Sequence, residues 1–134
     1  MRRARLVAAA LAAVVVLGAC GDSPEDKAHN DGKKVGQATR AVFDSRSVDD
    51  ARNAVKELRN TVNGISDDVR KTVRTQVATQ GDTLQQAAQG LKQGNLTQVK
   101  DSAQEVRAQA DAFRHSHDSA ANEFWRGFEE GYDG

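Results

Sequence analysis

Apolar side chains recur at alternating steps of three and four along most of this chain, and no stretch alternates apolar with polar one by one. That rhythm is the period of an α-helix with one buried face, and it argues against half-buried strands, whose period is two. Val48, Ala51, Val55, Leu58, Val62 and Ile65 make one seam, and Val69, Val73, Val77, Leu84, Ala88 and Leu91 make a second. A third runs from Leu96 through Val99, Ala103, Val106, Ala110, Phe113, His117, Ala120 and Phe124 to Phe128, a length of about nine turns. A shorter stripe of Val35, Ala38 and Val42 is out of phase with Val48, which places a break at Asp44–Ser47.

Local boundary signals agree with the seams. Ser47 with Asp50 three residues on is a capping arrangement that satisfies free N–H groups at a helix start. Asn63-Gly64 predicts a stop through the left-handed conformation both residues tolerate. Ser66 with Asp67 and Asp68 opens the next segment, where acids complement the positive end of the helix dipole. That segment closes at Gly94, and Asn95 with Gln98 opens the last one. The expected fold is therefore all-α: an antiparallel helical bundle of three long arms, residues 35–63, 66–93 and 95–128. The first arm is broken near 44–47, so the count is three or four helices.

The material for a core is scarce. After residue 19 the chain holds ten Val, four Leu, one Ile and four Phe, 19 of 115 residues. That lies below the roughly 20% which, with high net charge, marks disorder. Net charge is small here, however, and 14 Ala favour helix and close helix approach. The sequence predicts a thin-cored rod, or one completed by self-association. Its weakest stretch is Ala78–Thr83, where a seam residue is missing and Gly81 costs about 1 kcal/mol relative to Ala.

The start of the chain is an address. Met1-Arg2-Arg3-Ala4-Arg5 is basic, and Leu6–Leu17 follows with 12 residues free of polar side chains. Spanning about 30 Å of hydrocarbon takes about 20 helical residues, so this is a secretory leader and not a membrane span. Leu17-Gly18-Ala19-Cys20 closes it and resembles the lipobox of bacterial lipoproteins. That resemblance covers only about the first 21 residues. It implies cleavage before Cys20, a thioether-linked diacylglycerol on that thiol, and anchoring by acyl chains such as palmitate at the extracytoplasmic face of the cell membrane. Two or more chains hold firmly, each buried methylene contributing about 0.8 kcal/mol. Gly21–Lys34 carries the single Pro, two Gly and many charges, and reads as a flexible spacer. The organisation expected is a leader at 1–19, a lipidated Cys and tether at 20–34, and a helical domain at 35–134. The heptads are similar to those of small coiled-coil envelope lipoproteins, although the wall-linked kind ends in a Lys and this sequence ends Asp133-Gly134.

Charge and motifs narrow the function. The 19 basic residues balance 19 acidic ones, and without Arg2, Arg3 and Arg5 the balance turns mildly acidic, so no basic field invites nucleic acid. The single Cys excludes an internal disulfide and a cysteine zinc cluster. Phosphate loops, HExxH, a serine elbow and CxxC are missing from the sequence, so catalysis and a resident cofactor are not expected.

Two constellations remain. Four of the six aromatics crowd into the last eleven residues: Phe124, Trp125, Phe128 and Tyr132. They are either plugs for the bundle's end or a patch for a protein partner or for a sugar stacked on Trp125, in an acidic setting that disfavours anionic lipid. Asp111, His115 and Asp118 stand at i, i+4 and i+7, a weak candidate for a metal stripe that lacks a further ligand from a facing element. His117 falls in the seam, where a hydrogen-bonded core position is expected. The functional expectation is a membrane-anchored envelope lipoprotein serving as a helical binding or structural adaptor, with a small-ligand or metal-binding lipoprotein and a self-associating coiled-coil spacer as alternatives.

Overall fold

A computed structural model describes residues 23–115 and 118–134. Among them every regular element is helical: α1 (Pro24–Phe43), α2 (Val48–Asn63), α3 (Asp67–Gln93), α4 (Leu96–Phe113) and α5 (Ser119–Asp133). The leader, Cys20 and His117 lie outside the described residues. No helix among those described is long and apolar enough to cross a membrane.

Several boundaries follow the local chemistry. The Ser47 hydroxyl accepts from the Asp50 N–H at 3.1 Å, and Asn95 Oδ1 accepts from the Gln98 N–H at 3.1 Å. Gly94 adopts the left-handed conformation at φ 68°, its N–H returning to Gly90 and Leu91 carbonyls. The break at Asp44–Ser47 is present where the phase change placed it. Two caps work differently from expectation. Gly64 ends α2 at φ −87°, without a left-handed turn. Ser66 does not cap its own helix; its N–H and hydroxyl both donate to Asp31 Oδ2, at 3.2 and 3.1 Å, fastening the α2–α3 turn to α1.

Two larger corrections change the architecture. The spacer expected over 20–34 is helical from Pro24 onward, the first half of α1. Ser23 accepts from the Asp26 N–H, Pro24 stands at the first helical position, and Glu25 and Asp26 fill the acidic first turn, which is a helix start in full. Ala28 is buried there, and Gly32 is buried against α5. The expected third arm, 95–128, is not one helix. It ends at Phe113, and Asp118 opens α5 by accepting from the N–H groups of Ala120 and Ala121 at 2.9 and 3.1 Å. The chain thus folds back once more, giving five helices among the described residues where three or four were expected.

The fold-back creates the most extensive contact in the molecule, between α1 and α5. Cross-pairs climb together along the two helices: Glu25 with Ser119, His29 with Glu123, Lys33 with Glu130, and Arg40 with the Tyr132 carbonyl, so the pair is parallel. Both helices carry glycines four apart, Gly32 and Gly36 on α1 and Gly127 and Gly131 on α5. A Cβ on Gly32 would stand 1.9 Å from the Phe124 carbonyl oxygen, and one on Gly127 would stand 2.1 Å from that of His29. Backbone meets backbone, an approach only glycine permits.

That approach lets α5 drive its rings into the interior. Phe124, Trp125 and Phe128 are fully buried and Tyr132 nearly so. Trp125 meets Phe124 edge-on at 4.6 Å between centroids and Phe113 at 5.0 Å, and Phe128 stacks on Tyr132 at 6.3 Å. The indole N–H donates to Gln76 Oε1 at 3.2 Å. Each such ring contributes roughly 1.5–3 kcal/mol by burial, which compensates for the shortage of large aliphatics. Across the apolar gap at Ala78–Thr83 two polar contacts join α3 to α4: Gln80 donates to the Val106 carbonyl at 3.2 Å, and Thr83 accepts from Gln109 at 3.0 Å. The helix runs unbroken through Gly81.

Candidate functional site

Of the two readings of the C-terminal aromatics, the structure has the buried one, not the partner patch. Phe124, Trp125, Phe128 and Tyr132 are the core, for the reason just given: α5 lies against α1 and aims them inward. The Asp111/His115/Asp118 stripe is not assembled either, because α4 ends two residues before His115 and the three residues no longer share a helix. Asp111 instead pairs with Arg107 at 3.1 Å, His115 sits exposed in the turn, and Asp118 caps α5. Among the described residues no three His, Cys, Asp or Glu side chains stand in metal-holding geometry. His29 shows why proximity is insufficient. Its Nδ1 meets Glu123 at 3.0 Å and its Nε2 meets Glu130 at 3.2 Å, so the two carboxylates occupy opposite ring nitrogens and bridge α1 to α5.

A denser ionic cluster surrounds Glu129, which is only 6% exposed. It pairs with Arg107 at 2.9 Å and with Arg114, while Arg107 also holds Asp133 at 2.9 Å. Burial, with the Asp111 carboxylate beside it, pushes the Glu129 carboxyl above the ordinary range against the pull of both arginines. Asp111 is held below that range by Glu129 and by Arg107. This cluster fastens α5 to α4 and is filled by its own members.

The space open to a ligand lies elsewhere. α2 packs on α1 and α3 packs on α4, whereas α2 and α3 touch each other little. Between them is a cleft of about 330 Å³. Val35 of α1, Leu58 of α2, Ile65 of the turn and Val106 of α4 are its buried floor. Val62, Val77 and Leu84 line the walls and remain half-buried because they face the opening. Gly81 sits one turn after Val77 on the α3 wall, and a Cβ there would meet nothing within 4 Å. The missing side chain at 81 is part of why the cleft is open. A wider hollow of about 580 Å³ near Gln98 and Glu105 is shallow and lined by polar side chains.

Polar groups in the cleft are few. The Thr39 hydroxyl is spent on the Val35 carbonyl at 2.8 Å, and the Gln80 amide N–H on Val106. Arg59, Asn63 and Gln85 are exposed and stand at the mouth. Arg59 is the single charged residue on the lining. An apolar pocket with a few convergent polar groups, in the range of roughly 300–1,000 Å³, is the usual form of a small-molecule site. The seam gap at Ala78–Thr83 was its trace in the sequence, read there as weakness. No family model, no curated protein and no solved structure matches the chain.

Proposed function

We propose that this chain is an extracytoplasmic lipoprotein, anchored through acyl chains on Cys20, whose helical bundle binds a small apolar ligand in the cleft between α2 and α3. The anchor rests on Leu17-Gly18-Ala19-Cys20 after a basic, 12-residue apolar leader. Ser23, the cap of α1, is three residues past Cys20, a reach of at most about 11 Å. An acylated Cys20 therefore holds the bundle close to the bilayer instead of lifting it on a spacer.

The observation that carries the binding role is the open apolar cleft in a chain so short of apolar residues. Leaving Val62, Val77 and Leu84 partly wet forfeits burial worth about 25 cal/mol per Å², which a ligand recovers. The buried rings of α5 remove the aromatic route to a protein partner. Two measurements test the reading. Mass spectrometry of the native product should find diacylglyceryl and acyl mass on Cys20 as the first residue; a bare thiol or a retained leader refutes the anchor. An environment-sensitive apolar dye should brighten on the wild-type chain and fail to do so on Gly81→Leu, whose side chain occupies the cleft. Equal brightening of both refutes the site.

A further inference from the structure

We infer that the cleft takes a single-chain alkyl carboxylate, with its tail on the apolar floor and its head at Arg59. This deepens the binding role proposed above and rests on it. The charge pattern of the cleft selects the head group. Arg59 is its one charged lining residue, it makes no ion pair among the described residues, and no acid lines the cleft. Asn63 stands one turn further along α2 on the same lip and offers a neutral amide. A second guanidinium, that of Arg70, donates to the Val62 and Asn63 carbonyls at 3.1 and 2.9 Å. It covers the negative end of the α2 dipole, which would otherwise oppose an anion at this lip. Nearby acids are turned to other duties: Asp31 holds Ser66, and Glu57 lines a different hollow.

Shape selects the tail. Val35, Leu58 and Val106 present aliphatic surface with no aromatic ring among the lining residues, which suits a flexible chain better than a stacked ring system. About 330 Å³ is near the low end of ligand sites, so one medium-length chain fits and a two-chain lipid does not. A guanidinium and a carboxylate are matched in geometry, and at a half-open mouth the pair is partly shielded from water. A cationic head would meet Arg59 with like charge.

The test uses the full mature chain, residues 20–134, unacylated and first shown helical by circular dichroism. Decanoate, decanol and decyltrimethylammonium, equal in chain length and below their aggregation thresholds, are titrated by calorimetry against wild type, Arg59→Gln and Gly81→Leu. Decanoate should bind most tightly. Arg59→Gln should weaken it by about three- to tenfold, the worth of one charge-assisted contact at a partly exposed site, while leaving decanol unchanged. Isotope-filtered Overhauser contacts from the decanoate methylenes to Val77 and Leu84 methyls should locate the chain independently of any variant. If decanol binds as tightly as decanoate, or Arg59→Gln changes neither, the carboxylate assignment is overturned while the cleft survives. If Gly81→Leu stays folded and binds decanoate and decanol as wild type does, or no Overhauser contact reaches α3, the cleft itself is overturned.

Discussion

Placing a methyl group on Gly32 probes the feature on which the whole packing depends. In a free helix, Gly→Ala gains about 1 kcal/mol. Here the new carbon would stand 1.9 Å from the Phe124 carbonyl oxygen and 2.7 Å from its carbonyl carbon. A relaxed C···O contact needs about 3.3 Å, so α1 and α5 must separate by more than 1 Å at that level. The obstructing atoms are backbone, and no side chain can swing aside. Overpacking of this kind costs roughly 1–3 kcal/mol, occasionally more. Separation also loosens Phe124 and Phe128, which are fully buried and contribute roughly 1.5–3 kcal/mol each.

With the propensity gain set against overpacking and the partial loss of ring burial, the net expectation is a loss of about 1–3 kcal/mol for Gly32→Ala, and a similar loss for Gly127→Ala. Urea unfolding followed by circular dichroism measures it directly. Gly81→Ala is the internal control. It is also a helical glycine, but its Cβ meets nothing within 4 Å, so it should stabilise by about 0.5–1 kcal/mol. If Gly32→Ala and Gly81→Ala both stabilise, the close parallel pairing of α1 and α5 is wrong.

Trp125→Ala should cost about 3–5 kcal/mol in the same assay; a loss under about 1 kcal/mol would return the ring to the surface as a partner patch. Asp118→Ala removes the acceptor for two N–H groups at the start of α5 and should cost about 0.5–2 kcal/mol, whereas a metal-stripe role would leave stability untouched. Glu129 sets a pH dependence. Its folded carboxyl is pushed up by burial and by Asp111, so the native state binds that proton more tightly than the unfolded chain does. Its contribution to stability therefore grows as pH falls from neutral through the raised folded value, and levels off below the unfolded one. Wild type should gain stability relative to Glu129→Gln as pH falls from neutral toward the unfolded carboxyl's value, and a gap moving the other way contradicts the burial effect. The lowered carboxyls of Asp111 and Glu130 act in the opposite sense: their support is present above the unfolded value and lost on acidification.

How far the sequence could be read is best judged at particular residues. The break after Asp44, the caps at Ser47 and Asn95 and the helix end at Gly94 were legible because each is decided within one turn of chain. The start at Ser23-Pro24-Glu25-Asp26 carried the same kind of signal. A polar, glycine-bearing composition with little apolar periodicity masks it, because that composition is also the mark of a linker. The two glycine pairs were present as text as well, but a glycine four residues from another says nothing until a partner helix is known. The stop at Phe113 was hidden because the three-four rhythm carries on through His117 into α5, and periodicity alone does not distinguish one long helix from two that share a phase. Of the cleft between α2 and α3, only Gly81 and the missing seam residue were visible.

The sequence by itself determined that the chain is helical and where α2 and α3 begin and end, because periodicity and capping are written in short, contiguous stretches. Tertiary structure alone decided that α5 returns to lie parallel to α1, that Trp125 and its neighbours become core, and that α2 and α3 stand apart over an apolar floor. Those outcomes depend on which surfaces meet across about a hundred residues, and a backbone contact at Gly32 and Gly127 exists only once both helices are in place.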